Sequence, residues 1–302
     1  MTQCSAVALR TITLWLNTMT PLRPFFENVR AHYNLSNDFF RLFLDPTMTY
    51  SCAYFEREDM TLEQAQLAKI DLSLRKCDLR PGQRLLDVGC GWGSTIRHAA
   101  DVFHGRAVGL TLSENQVREA VARSAGRRDI EIRLQGWEGF DEAVDRIVSI
   151  GALEHFRAER YDAFFGRCRE LLPDDGRMLI QSIVAGNQQT LATDEKWVDR
   201  EFVRYVRFIR EVIFPGGQVP RRESVIDSAQ VNGFAVTQVE SLRPHYARTL
   251  DHWSVNLEAA WEKARALVPQ RTCDDYMRYL TQSAHYFRTG HNDVLQFSMR
   301  VA

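Results

Sequence analysis

One stretch limits what this chain can fold into more than any other: Leu85-Leu86-Asp87-Val88-Gly89-Cys90-Gly91-Trp92-Gly93-Ser94. An apolar run of strand length meets glycines at alternate positions, and a helical pattern follows. Such a sequence delivers a strand into a tight turn where backbone passes very close to a ligand. Glycine tolerates the dihedrals required and has no Cβ to hold that ligand off. In open α/β sheets, a turn of this kind at the carboxyl end of the first strand is where nucleotides bind. The spacing also discriminates. A dinucleotide fingerprint, G-x-G-x-x-G, needs glycine at position 94, where Ser94 stands. The plain alternative is an ordinary glycine-rich strand-to-helix turn.

The flanking pattern supports a sheet. Segments 84–88, 106–110, 130–134, 144–150 and 178–184 are rich in β-formers, and helical periodicity separates most of them, notably at 113–125 and 159–172. Alternation at this rhythm predicts a mostly parallel sheet with helices on both faces. Two later runs, 234–242 and 294–301, complete seven strands and flank helices at about 247–267 and 273–288. Upstream, Ser36 is placed to N-cap a short helix carrying Phe39, Phe40 and Phe43, which Asp45-Pro46 ends. A second helix runs from Thr61 to about Cys77. Residues 185–213 interrupt the alternation with a polar loop and a helix, broken by Pro215-Gly216-Gly217. The expected organisation is a mobile extension at 1–18, then one domain over 19–302 with a helical lid insertion at about 185–217.

Composition excludes several classes. A formal net charge of −1 leaves no global field for nucleic acid or an anionic membrane. The six cysteines are scattered, with no C-x-x-C and no histidine spacing for zinc, so no metal is expected and reduced, cytoplasmic thiols are. No stretch is apolar enough for a bilayer span. Segment 6–16 is mildly apolar but lacks the basic start and cleavage site of a signal. Peripheral membrane contact through that segment is the alternative to a plain extension.

Residue chemistry narrows the site. Asp87 and the glycines suit the amino-acid end of a nucleoside ligand. The second strand ends in Gly109-Leu110-Thr111-Leu112, without the acidic residue that takes ribose hydroxyls in nicotinamide enzymes. Gln116, one turn into the following helix, has the donors and acceptor to substitute, although taken alone it reads as a solvated surface glutamine. Trp137-Glu138 follows the third strand, where a base would sit, and an indole can stack there or simply fill the core. Glu154 leaves the carboxyl end of the fourth strand in apolar company, which is costly unless it is paired or functional; a helix-capping role is the rival. His155 reads as a packed or exposed histidine. The many aromatics are mostly core, and a subset can line an apolar tunnel and steady positive charge through their ring faces.

Taken in order, Ala31-His32-Tyr33-Asn34-Leu35-Ser36, Tyr50-Ser51-Cys52-Ala53-Tyr54-Phe55, Asp87 to Gly93, Gly109-Leu110-Thr111-Leu112-Ser113, Trp137-Glu138, Ser149 to Phe156, Phe214-Pro215-Gly216-Gly217 and His245-Tyr246 resemble the mycolic acid cyclopropane synthase family, within the broader cyclopropane fatty acid synthases. The likeness covers residue 20 or so to the end. It implies a class I methyltransferase fold, Rossmann-like, with a seven-stranded mostly parallel sheet, and S-adenosylmethionine as methyl donor. By the resemblance, Tyr50, Ser51, Asp87, Gly89, Gly91, Gly93, Thr111, Gln116, Trp137 and Glu138 would hold that cofactor. It further implies a long acyl substrate with a double bond, carried on acyl carrier protein or in a phospholipid. Methylation of the alkene leaves a carbocation, and a bound bicarbonate takes the proton as the cyclopropane ring closes. Bicarbonate would be held by backbone at Cys52 and Ile150 and by the side chains of Glu154 and Tyr246, with Tyr33 walling the reacting centre.

Two positions depart from the family pattern. Gln181 stands in the fifth strand where a histidine is usual, and Ser283 replaces a common cysteine. Gln181 can hydrogen-bond an anion but carries no charge. That puts bicarbonate in question and leaves cyclopropane and methyl-branched products both open. A small-molecule N-methyltransferase and an acyl-lipid-binding protein that has lost catalysis also remain as alternatives.

Overall fold

The computed structural model describes residues 23–24, 35–186 and 199–302. The expected extension at 1–18, Tyr33, and part of the expected insertion lie outside the described residues.

Among the described residues the first helix is short, α1 (Asn37–Arg41), and its N-cap Ser36 accepts the Phe39 N–H as its position suggested. Phe39, Phe40 and Phe43 are completely buried against Tyr276, Trp92 and Trp253. This aromatic turn is therefore core. It does not wall either cavity, because all three rings are taken up by edge-on and tilted packing with one another, with Trp92 of the glycine turn and with later helices. A longer helix, α2 (Leu62–Lys76), starts from a complete capping box in which Thr61 and Gln64 satisfy each other's backbone N–H groups.

Alternation follows, interrupted where a 3-10 turn (Trp137–Gly139) replaces the helix between β3 and β4: β1 (Arg84–Val88), α3 (Ser94–Val102), β2 (Arg106–Thr111), α4 (Glu114–Arg123), β3 (Ile130–Leu134), β4 (Arg146–Ile150), α5 (Tyr161–Leu171) and β5 (Arg177–Ala185). After residue 199 come α6 (Arg200–Phe208), continued by a π-helical turn over Ile209–Ile213, then α7 (Arg222–Val231), β6 (Phe234–Ser241), α8 (Arg243–Ala259), α9 (Trp261–Leu267), α10 (Gln270–Arg288) and β7 (Asn292–Val301). Two differences from the sequence reading stand out. The helix expected over 247–267 breaks at Ala260, which lets α9 turn back towards α1 and bury Ala264. Helix α7 went unread because it buries only Val225 and Ala229, too little for an apolar period.

The sheet order is β3-β2-β1-β4-β5-β7-β6, with β7 antiparallel to both of its neighbours and the pairs from β3 to β5 parallel. Strand direction of side chains, alternating with period two, sorts the core. Leu85, Val148 and Leu179 face α2 and α3, whereas Leu86, Ile147 and Ile180 face α5 and α7. Asp87 and Gln181 fall on the α2 side by the same alternation. The order reverses at β1, between β2 and β4, so the crevice at the carboxyl ends of these strands is the ligand position this topology provides.

Candidate active site

The crevice holds a cavity built around the glycine turn. Gly91 has φ +54° and a Cβ placed on it would meet no protein atom within 4 Å, so its open side belongs to the cavity. Gly89, with φ +91°, lies where a Cβ would come within 2.5 Å of the Ala152 methyl. Gly93 is not on the wall; it starts α3 from the left-handed region and packs beside Arg97 and Ala120. The N-terminus of α3 points into the same space, where its free N–H groups favour electron-rich groups.

Asp87, Thr111, Gln116, Trp137, Glu138, Tyr50 and Ser51 all line this cavity, together with Ile150. Thr111 donates to the Gln116 side-chain oxygen at 2.5 Å, and Gln116 is buried. Its solvated reading is thereby corrected: Ser113 caps α4 and turns the first helical turn inward over β2. Glu138 accepts from Arg160 at 2.7 Å, and the same guanidinium sits 5.3 Å from the centre of the Trp137 ring. The second Glu138 oxygen is buried with no hydrogen bond among the described residues. An orphan acceptor beside an indole suits the donor edge of a base. Burial pushes the Asp87 carboxyl up to about 7, against a smaller opposing pull from Lys69.

A second cavity of about 500 Å³ adjoins the first, and Tyr50, Ser51, Gly151 and His155 belong to the walls of both. This volume is within the range of small-ligand pockets. Much of its lining is apolar or aromatic, including Val206, Ile209, Phe214, Leu250, Phe287 and Val294. Polar groups collect on Cys52, Glu154, Gln181, Tyr246 and Tyr279. Glu154 Oε1 accepts the Ile183 N–H at 2.6 Å, while Oε2 is buried without a hydrogen bond among the described residues. The adjacent Ser182 hydroxyl is turned to the Ile183 carbonyl at 3.0 Å. Burial pushes the Glu154 carboxyl up to about 7, poised between forms at neutral pH. Burial likewise drives the Cys52 thiol and Tyr246 phenol well above their ordinary ranges, so both stay protonated. The Gln181 carboxamide oxygen accepts from Gln296 at 3.0 Å, and Gln296 in turn accepts from Lys76 at 2.7 Å. That chain directs the Gln181 amide donors to the cavity it lines.

The structure thus brings Cys52, Glu154 and Tyr246 to one cavity and the cofactor-type residues to the other. Ile150 stands on the first cavity's wall, next to the shared Gly151. His155 was passed over in the sequence, yet it is part of the partition; desolvation lowers its pKa to about 4, so it is neutral there. Arg160, Tyr279 and Lys69 were also unread. For Lys69 a signal existed: a lysine at the helical spacing of buried Leu62, Gln66 and Ser73 on one face of α2.

A glycine cradle at the switch point, a second strand with no acidic end, and the order 3-2-1-4-5-7-6 define a class I S-adenosylmethionine-dependent methyltransferase. A family model described as mycolic acid cyclopropane synthetase matches residues 21–297, and the chain belongs to that family. It is 54% identical over 280 residues to cyclopropane mycolic acid synthase 1 of Mycobacterium tuberculosis, covering 92% of this chain and 98% of that one. The structure of the cyclopropane synthase MmaA2 from Mycobacterium tuberculosis superimposes with a TM-score of 0.91 at 48% identity, over 93% of this chain and 100% of that one. The mycolic acid cyclopropane synthase CmaA1 complexed with SAH and CTAB gives 0.89 at 52% identity, with the same coverage. Among the described residues no helix is long and apolar enough to cross a membrane.

Proposed function

We propose that this chain methylates a double bond in a long acyl chain of the mycolic or fatty-acid kind, giving a cyclopropane or a methyl-branched product. The observation that carries the reading is the pair of cavities, one cradled by glycines and one largely apolar, meeting across Tyr50, Ser51, Gly151 and His155. S-adenosylmethionine, when bound, supplies an electrophilic methyl group. The orphan Glu138 oxygen, the open side of Gly91 and the buried Asp87 fit its base, backbone and amino-acid end respectively.

An alkene is a poor nucleophile, so most of the work falls to proximity and exclusion of water. The tyrosine faces of the second cavity attract positive charge, each by about 0.5–2 kcal/mol. Glu154 in its ionised form opposes the same charge from a dry site. Cys52, Glu154 and Tyr246 are the groups we assign to bicarbonate, with Ile150 contributing backbone at the partition. Gln181 adds N–H donors but no cationic form, so it holds the anion more weakly than a histidine would and biases the outcome towards methyl-branched products. The helical part of the insertion at about 185–217 covers the acyl cavity, and its exposed Arg204, Arg207 and Arg210 suit an anionic carrier, whether acyl carrier protein or a phospholipid surface.

The test is transfer of labelled methyl from S-adenosylmethionine in cells expressing the protein, followed by mass spectrometry of lipids. Label in a lipid bearing one added carbon is expected. Label confined to a polar amine, or none in lipid, would overturn the reading.

A further inference from the structure

Lys69 is a buried cation on the first cavity's wall whose chemistry the reading above leaves unused. It sits midway along α2, 1% exposed, on the face turned towards β1. Its Nζ lies 2.7 Å from Ser51 Oγ. An ammonium only donates, so the serine oxygen accepts and its own hydrogen must point elsewhere. One turn earlier on the same face, Gln66 donates to the carbonyls of Thr49 and Ser51 at 3.2 and 2.8 Å. The backbone that carries the serine hydroxyl is thereby fixed. Both Lys69 and Ser51 line the first cavity, as does Asp87. The titratable groups facing the ammonium are Asp87 from β1, Asp45 from the loop after α1, and Cys52 next to Ser51. Neither aspartate makes an ion pair with Lys69 within 4.0 Å among the described residues, so its charge is not consumed locally.

The amino-acid end of the donor is a zwitterion, and it needs an anionic and a cationic partner. Asp87 supplies the first. Of the cations on this cavity's wall, Arg160 is held by Glu138 beside Trp137, which leaves Lys69. We propose that Lys69, acting through the Ser51 hydroxyl, is the positioning residue that recognises the carboxylate of the donor's amino-acid end. Lys69 makes Ser51 a one-way donor and lends it positive charge, and charge-assisted hydrogen bonds are roughly twice as strong as neutral ones. Because the hydroxyl lies in the partition, the same contact fixes where the donor's methyl group meets the acyl cavity. The inference rests on the cofactor alone and stands or falls independently of the acyl reading.

Burial lowers the Lys69 pKa to about 8. Affinity for a carboxylate should therefore hold below that pH and fall as the ammonium loses its proton above it. The Asp87 carboxyl ionises near 7 and should give an opposite limb on the acid side.

The experiment titrates two ligands calorimetrically into the full chain: S-adenosylhomocysteine and its decarboxylated analogue, which keeps the amine. The wild type should prefer the carboxylate by about tenfold or more. Lys69→Met and Ser51→Ala should each reduce that preference to about twofold or less while binding the analogue as the wild type does. Lys69→Arg should restore the preference and carry it past pH 9, and Lys69→Met should lose the alkaline limb but keep the acid one. Equal loss of both ligands in the two variants, or an undiminished preference, would overturn the proposal. Should Lys69→Met fail to fold, Lys69→Arg decides: an alkaline limb unchanged from the wild type would overturn the proposal.

Discussion

At the scale of single residues, the site separates positions set by backbone from positions set by surroundings. Gly91 is of the first kind. Valine there would adopt φ +54°, which costs an L-residue about 1–2 kcal/mol, and would put its methyls into the cavity. Gly91→Val should abolish S-adenosylhomocysteine binding by calorimetry while far-UV dichroism stays that of the wild type. Gln181 is of the second kind. Its oxygen is held by Gln296 and its neighbour two residues on, Ile183, anchors Glu154. Replacing it by histidine, which can carry a positive charge, should raise the cyclopropane fraction of the products with no more than about a twofold change in cofactor affinity. An unchanged product ratio would remove Gln181 from the account of product choice. Asp87, Gly89, Gly91 and Trp137 were legible as site residues because a strand, a turn and a stacking ring leave local marks. Gln116 read alone as surface, and His155 and Lys69 did not read as site residues at all. Lys69 is covered by the 49–51 loop, distant in the chain, whereas Gln116 is turned inward by Thr111 and Ser113 close by, through hydrogen bonds that apolar periodicity does not report.

At the scale of elements, α2 does more than cover the sheet. Gln66, Lys69 and Ser73 form a polar stripe along its buried face, gripping the 49–51 loop at one end and Gln296 of β7 at the other. Gln66→Leu removes the donor to two buried carbonyls and should destabilise the fold by about 1–3 kcal/mol for each group left unsatisfied, measured by urea unfolding. It should also weaken donor binding, because the loop it holds carries Tyr50 and Ser51. Thr61→Ala, at the far solvent end of the same helix, should cost only about 1 kcal/mol through loss of the capping box and leave donor affinity unaltered. The sequence announced this helix through its Thr61-to-Gln64 spacing, but period alone could not say that three of its inward positions are polar for a purpose. In the same way, the break at Ala260 has no local breaker and is decided by where α9 finds apolar partners.

For the molecule as a whole, the two central carboxyls set the pH response of the unliganded protein. Asp87 and Glu154 are both pushed up to about 7 by burial. Between their unfolded values near 4 and 7, the native state binds more protons than the unfolded chain, so their contribution to stability is full at low pH and is lost as pH rises through about 7. The half-buried carboxylates paired with arginine, such as Glu142 and Asp129, are shifted down by those arginines and act in the opposite sense at more acid pH. The Tm of the wild type should therefore fall between pH 5 and 7.5, and Asp87→Asn with Glu154→Gln should flatten that fall. A parallel decline in the double variant would show that the slope originates elsewhere. The proposed contact of the donor's amine with Asp87 favours the ionised carboxyl, so S-adenosylhomocysteine should raise the Tm more at pH 7.5 than at pH 5.

The sequence by itself determined the alternation of strands and helices, the glycine turn at 89–93 and the kind of ligand that turn admits. Each of these follows from local rules: side-chain period, missing Cβ atoms, and the hydrogen bonds that begin and end helices. Tertiary structure alone decided which side chains share a cavity. Glu154, Gln181 and Tyr246 come from the turn after β4, from β5 and from α8, and only the sheet order 3-2-1-4-5-7-6 sets them around one space. It also decided that a lysine in the middle of an ordinary-looking helix is buried beneath Ser51, because burial is a property of what packs against a residue and not of the residue's own neighbours in the chain.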